Sequence, residues 1–306
     1  MRDTNFKSTG IIERSDRLEL HYFFKDESHS IDSILRNECE KEILFIFKEI
    51  SDTLKLDLRL ETSPPEDGGF KEIWNFIGKN SAQISLLVSV AAIIISRFPT
   101  ENRELTKLQI ENLKLDNELK SKELEKLNLK ALKEEDELIQ DKLIGSVELV
   151  NKNYRIAWRK SNFYKKLFGY NKLDSIEILR FKANEPVGKK REVLRNDFKN
   201  YILDSDDLPP LSVEKAVIDV ISPAIKRGRF KWKGFYNNEI ISFDMNDSIF
   251  RQQVLKGDVH FSNKFSIEVE MTQERKINQD GGIKITNTSI TKVWASVENG
   301  NRIEYK

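Results

Sequence analysis

The sequence predicts an α+β fold: a small N-terminal strand-helix-strand unit, a hydrophobic helix, a long leucine-rich helical stalk, and a C-terminal α+β domain ending in an antiparallel β-barrel or sandwich. Three observations carry this. Ser81–Ser96, SAQISLLVSVAAIIIS, is the only uncharged run of its length in a chain that is 33% charged. The stretch from Glu101 to Lys142 is almost entirely Leu, Lys, Glu, Asp and Asn. From Lys215 onward, short apolar alternations are separated by turn residues, the signature of strands at close spacing.

At 306 residues the chain has room for two or three domains. Composition divides it at 1–69, 70–98, 99–146 and 147–306. Cys39 is the only cysteine, which excludes an internal disulfide and a cysteine-built zinc site and suits a reducing compartment. The first residues, MRDTNFKSTGIIERSD, contain no apolar segment of the kind a secretory signal needs. The net charge of +1 hides an asymmetry. Residues 1–80 hold 12 basic and 17 acidic side chains, whereas residues 147–306 hold 29 basic and 21 acidic ones. A basic C-terminal half suits an anionic partner: nucleic acid, nucleotide or a membrane surface.

The elements follow in order. Leu18, Leu20, Tyr22 and Phe24 alternate at strand period. Ser30 is placed to cap a helix that buries Ile34, Leu35, Ile43, Phe47 and Ile50 at three-to-four spacing. Leu54–Thr62 alternates again, so the unit reads strand-helix-strand, with parallel strands if the two pair directly. Two strands and a helix bury too little to stand alone, so the C-terminal domain or a second copy must cover them. Ser63–Gly69 is a turn and linker, and Phe70, Ile73, Trp74 and Ile77 fit a short amphipathic helix. His21 and His29 are isolated, and no metal site is expected.

The hydrophobic run has two readings. Sixteen residues span about 24 Å as a helix, short of the roughly 30 Å hydrocarbon core, unless the helix extends back toward Trp74 and on through Phe98. Its small residues, Ser81, Ser85, Ser89, Ala92 and Ser96, form one stripe, which in a bilayer allows close helix contact or lines a narrow polar path. Membrane insertion is the leading reading; a helix buried in a soluble assembly is the other. Beyond Pro99, Leu105, Leu108, Leu115 and Leu119 form an a/d pattern with Asn112 at one core position, and Leu124, Leu127, Ala131 and Leu138 continue it after a slip in phase. Leu113, Leu129 and Leu132 widen that face toward a bundle or toward packing back on a domain. Gly145 is expected to end the helix.

In the last domain, Val147–Val150 reads as a strand, Tyr154–Tyr170 as a basic aromatic helix, Leu173–Phe181 as a strand and Arg195–Leu203 as a helix. Gly188-Lys189-Lys190-Arg191 is too short for a phosphate loop. Asp204–Pro210 reads as a loop. Strands are expected over Val217–Ile221, Ile225–Tyr236, Ile240–Met245, Val259–Phe261, Phe265–Met271, Ile283–Thr291, Val293–Val297 and Ile303–Tyr305. Asn237-Asn238 and Asp280-Gly281-Gly282 are turns, and Asp247–Val254 is a short helix. Arg227, Arg229, Lys231 and Lys233 share one face of the second of these strands, and Phe230 and Trp232 take the other. Charge beside aromatics is what single-strand binding uses; a basic outer face over an aromatic core face is the structural reading of the same residues. Arg155 and Arg159 on the basic helix carry the same ambiguity.

No Walker motif, nucleophile elbow, metal-ligand cluster or dinucleotide fingerprint is present in the sequence, so neither an enzyme nor a cofactor is expected. The order of hydrophobic helix, stalk and terminal domain resembles the layout of membrane-acting effectors of prokaryotic immunity, as a plan rather than a family. That layout implies an antiviral defense or stress effector, assembled as a homo-oligomer on the cytoplasmic side of the cell membrane, whose C-terminal domain senses a ligand. The alternative is a cytoplasmic coiled-coil scaffold or adaptor whose basic C-terminal domain binds nucleic acid or a protein partner.

Overall fold

The structure is a computed structural model. It describes residues 13–26, 28, 30–57, 59–62, 70–97, 117–129, 132, 140–226, 228 and 230–305. The chain forms two compact units, Met1–Ser205 and Asp206–Lys306.

The first unit is a five-stranded antiparallel sheet under a layer of helices. The strands are β1 (Arg17–Phe24), β2 (Arg59–Thr62), β3 (Phe70–Ile77), β4 (Leu173–Lys182) and β5 (Glu185–Leu194), in the order β2-β3-β1-β4-β5. β1 and β2 are not neighbours: β3 lies between them, antiparallel to both, so the expected parallel strand-helix-strand unit is corrected. Phe70–Ile77 is this strand and not a helix. Phe70, Ile73, Trp74 and Ile77 satisfy helical spacing, but Phe76 does not. At strand period Trp74 and Phe76 share the buried face, where Phe47 meets both rings edge-on at 5.3 and 5.2 Å. Cover for β1 comes from later in the same chain, through β4 and β5.

Helix α1 (Ser33–Leu54) is capped by Asp32, whose Oδ1 accepts from the backbone N–H of Ile34 and Leu35; Ser30 is not the cap. The helix continues to Leu54, into the stretch that reads as a strand. Helix α2 is Ser81–Ser96. Asn80 caps its start and Arg97 is extended, so it grows in neither direction. Every residue from Ile84 to Ser96 is buried, as expected for a helix apolar on all sides. No helix among the described residues is long and apolar enough to cross a membrane, which overturns the transmembrane reading.

The stalk is overturned as well. Residues 98–116, 130–131 and 133–139 lie outside the described residues, and with them Leu105, Leu108, Asn112, Leu113, Leu115, Ala131 and Leu138. What is described is α3 (Asn117–Leu127) and α4 (Gln140–Asn151), each under four turns. Asn128, at φ +48°, follows the end of α3. Leu129 and Leu132 are buried in the core of this unit, and Leu124 and Leu127 pack against it, so these leucines serve one domain and no coiled coil. Gly145 does not end a helix. It sits inside α4, where a Cβ would lie 2.6 Å from Leu127 Cδ2, so its missing side chain lets α3 and α4 approach. Val147–Val150 is part of α4 and not a strand. The plan that resembled membrane-acting immune effectors loses both its span and its stalk, and the grounds for expecting self-assembly through them go too.

Helix α5 (Tyr154–Gly169) starts at Asn153, whose Oδ1 accepts from Arg155 N. The β4–β5 hairpin turns at Ala183-Asn184, both at positive φ. Helix α6 (Arg195–Phe198) and a 3-10 turn (Lys199–Tyr201) close the unit. Tyr164 and Tyr201 donate to the backbone oxygens of Ile95 and Ser96 at 2.7 and 3.0 Å, and Lys160 Nζ to that of Arg97 at 3.3 Å. The free carbonyls at the end of α2 are satisfied by side chains from this later segment.

The second unit is a closed barrel built from β6 (Asp207–Ser222), β7 (Trp232–Tyr236), β8 (Glu239–Met245), β9 (Phe265–Ile277) and β10 (Ile283–Glu298), with β11 (Asn301–Glu304) paired to the end of β10. The order around it is β6-β7-β8-β10-β9, closing back on β6. β8 and β10 are parallel at Ser289↔Asp244 and Ile290↔Met245, and the other pairs are antiparallel. β6 begins inside the expected Asp204–Pro210 loop and passes Pro209-Pro210 at an irregularity in its pairing with β9. Asn237 and Asn238, at φ +50° and +63°, make the tight β7–β8 turn. Helix α7 (Ser248–Lys256) lies between the third and fourth strands. The Asp247 carboxylate caps it through Oδ1 and accepts from Val293 N through Oδ2 at 2.8 Å, tying helix to barrel. Trp232, Phe243, Phe250, Ile267, Val269 and Met271 fill the interior.

Candidate nucleic-acid interface

The barrel's charge is not spread evenly. Its residues 206–306 hold 15 basic and 14 acidic side chains, yet between Val220 and Asn238 there are five basic residues and no acidic one. The basic excess of the C-terminal half belongs mostly to residues 147–205, in the first unit, with 14 basic and seven acidic side chains.

β7 decides which side chains share a surface. Trp232 is 2% exposed and Gly234 faces inward, so Lys231, just before the strand, and Lys233 and Phe235 within it face outward. Phe235 is 44% exposed. Across the strand pair, Lys233 stands opposite Ser242 and Phe235 opposite Ile240, so the outer face of β7–β8 combines a cation, an aromatic ring, a hydroxyl and an aliphatic side chain. Gly234 faces in because nothing larger fits: a Cβ there would be 2.5 Å from Ile218 Cγ2 and 2.8 Å from the Asp219 carbonyl.

Lys231 is held in place. Its Nζ donates to Asn287 Oδ1 at 2.7 Å and lies 3.7 Å from Asp244 Oδ2, reaching over β8 to β10. Lys233 and Lys226 have no ion pair among the described residues. In the loop between β6 and β7, Phe230 is 58% exposed, with its ring packed over Gly228, whose carbonyl oxygen accepts from Arg251 Nη2. Beside Phe235 lies a cleft of about 590 Å³, within the size range of small-ligand pockets, bordered by Asp219, which pairs with Phe235 across β6–β7, and by Ile221, Ser262, Asn263 and Lys264.

Of the residues singled out by sequence, Lys231 and Lys233 come together here. Arg227 and Arg229 lie outside the described residues. Trp232 belongs to the core, as the structural reading required. Phe235 was missed, although its odd number puts it in phase with Lys231 and Lys233. Arg155 and Arg159 are in the first unit. Arg155 lies 3.5 Å from Glu49, and Arg159 is 3% exposed and bonded to Glu42 at 3.1 Å. The serine stripe of α2 is spent on its own unit. Ser81 Oγ accepts from Arg14 at 2.9 Å, and Ser85 Oγ bonds both N and O of Ser15. Ser89 Oγ accepts from Arg180 at 2.6 Å, Ser96 Oγ donates to the Ala92 carbonyl, and Ala92 itself is buried. Among the described residues no group of three or more His, Cys, Asp or Glu is placed to hold a metal ion.

No protein-family model, curated protein or solved structure matches the chain.

Proposed function

We propose that the chain is a binding protein whose C-terminal barrel takes single-stranded nucleic acid across β7–β8. The observation that carries this is the placement of Lys231, Lys233 and exposed Phe235 on one outward face, within a stretch of five cations and no acid. Phosphates pair with the lysines, and a base stacks on Phe235 beside the cleft, which is how sequence-tolerant single-strand binding is built. The closed five-stranded barrel resembles the oligonucleotide- and oligosaccharide-binding barrel, which binds across its second and third strands; that supports the reading by analogy of fold, and the side chains support it independently.

Anisotropy of labelled single-stranded oligonucleotides with the full chain, over a series of salt concentrations, tests it. Affinity should fall linearly on logarithmic axes, and Lys233→Gln should lower the slope by about 0.7, one single-strand phosphate contact. Phe235→Ala should cost about 1–3 kcal/mol of affinity and leave the slope unchanged. Absence of binding at low salt, or wild-type behaviour of both variants, overturns the proposal.

A further inference from the structure

The Gly188–Arg191 stretch, too short to be a phosphate loop, acquires its neighbours only in the fold. It lies on β5, an edge strand. Arg191 is opposite Ile178, and Ile178 is opposite Leu20, so Arg191 projects to the face that carries the helices. Arg180, two residues beyond Ile178 on β4, projects to the same face and donates to Ser89 Oγ of α2 at 2.6 Å. Gly188 makes room for it. At φ +71° it suits glycine, and a Cβ there would stand 2.3 Å from Arg180 Nη2. Arg97, the residue after α2, adds a third guanidinium whose charge bears on Arg191.

Neither strand arginine is in a close ion pair among the described residues, although Glu13 lies near Arg180, its carbonyl oxygen accepting from Arg180 Nη1 at 3.5 Å. Among the described residues no carboxylate lies within 4.0 Å of Arg180 or Arg191, and Glu13 is the only acid whose charge bears on Arg180. Arg159 of the same unit shows the usual arrangement, with Glu42 at 3.1 Å. Burial lowers the basicity of Arg180. Burial, then Arg97 and Arg180, press that of Arg191 down to about 10. Both side chains keep one side open to solvent. Half-buried like charges on one face of adjacent strands cost stability unless an anion joins them.

We propose that Arg180 and Arg191 form an oxyanion site that binds a phosphate group, their planar forks each offering paired N–H donors to its oxygens. The site belongs to the first unit alone, so it stands or falls separately from the barrel's binding of nucleic acid. The same chemistry is carried by free phosphate and by the diphosphate of a nucleotide; inorganic phosphate and pyrophosphate serve as the two probes.

Thermal unfolding of the full chain is compared in each probe and in chloride of matched ionic strength at neutral pH. The first-unit transition should rise with phosphate or pyrophosphate. A rise with pyrophosphate alone assigns the site to a diphosphate. Arg191→Gln should abolish the rise without lowering the anion-free transition, because it removes a repulsion. Lys190→Gln, whose side chain pairs with Glu177 at 2.6 Å, should keep it. If Arg191→Gln fails to fold, Arg191→Lys serves instead: it keeps the charge, loses the fork, and should weaken binding measured by calorimetry roughly tenfold. No rise beyond chloride in the wild type, or an equal rise in Arg191→Gln, overturns the proposal, as does unchanged affinity in Arg191→Lys.

Discussion

Replacing Arg159 by alanine separates a structural cation from a ligand-binding one. Its Nη1 is 3.1 Å from Glu42 Oε2, and its guanidinium lies 4.2 Å from the ring of Phe45 and 4.5 Å from that of Trp158. Glu42 is itself buried, so removing Arg159 strands a carboxylate away from water. Breaking a buried pair from one side costs about 3–5 kcal/mol. Lys166, 2.7 Å from Glu42 Oε1, stays and offsets part of that, which points to the lower end. Loss of the two ring contacts adds about 1–2 kcal/mol. The expected loss is therefore about 3–5 kcal/mol, or on the order of 10 °C in the melting transition of a unit this size. Scanning calorimetry of the full chain reads it. Glu42→Gln with Arg159→Met should recover much of the loss, because no unpaired charge is then buried. Oligonucleotide affinity should not change. A loss below about 1 kcal/mol, or impaired binding of oligonucleotide with no loss of stability, would refute the structural account of Arg159.

Two further perturbations follow from the cores. Glu72 is held up to about 7, first by burial, against the lowering effect of the Tyr22 hydroxyl at 2.8 Å and of Arg36 at 3.0 Å. The folded protein therefore holds this proton more tightly than the unfolded chain, where the group titrates near 4.5. The stabilisation is complete below that value and is lost as pH rises through about 7, on the order of 3 kcal/mol. Denaturant unfolding between these values should show the decline, and Glu72→Gln should flatten it; a wild-type profile in the variant contradicts the assignment. Gly234→Ala should destabilise the barrel by about 1–3 kcal/mol, since the new methyl meets the Asp219 carbonyl. Gly169→Ala, with nothing within 4 Å of its Cβ position, should be neutral or slightly stabilising, and equal effects of the two by thermal unfolding would count against the close packing inside β7.

What could be read in advance depended on how local the determinant was. Leu18–Phe24 alternates because its own residues set which face is buried. Asn237-Asn238 marks a hairpin because asparagine tolerates positive φ. Phe70–Ile77 was illegible because four of its five apolar residues satisfy a helical spacing, and pairing with β1 decided for the strand. The lysine face of β7 was legible by parity, and so was Phe235, had the phase been carried three residues past Trp232. The closing of the barrel was not legible, because it depends on β10 meeting β8 and β9 at once. Arg159 resembled a binding residue because its partner, Glu42, lies 117 residues earlier.

The hydrophobic run shows the same limit most sharply. In a bilayer a helix must satisfy its polar groups internally or through neighbouring helices, because lipid offers no partners. α2 meets the requirement by another route. Asn80 takes the first free N–H groups, at Ala82 and Gln83. Tyr164, Tyr201 and Lys160 take carbonyls at the other end. Ser15, Arg14 and Arg180 take the hydroxyls of the serine stripe. Apart from Asn80, each of these partners lies more than 60 residues from its contact, so a window of sequence sees only an apolar helix with serines on one side. The stripe is where the helix meets the sheet: Ser85 joins it to the residues leading into β1, and Ser89 to Arg180 on β4. The small side chains allow the close approach, and the hydroxyls satisfy the polar groups brought into it. A run of 16 residues spans about 24 Å, enough for the core of one α+β unit and too little for a bilayer. Length, both caps and the placement of the serines therefore agree on a helix shaped for the interior of its own domain.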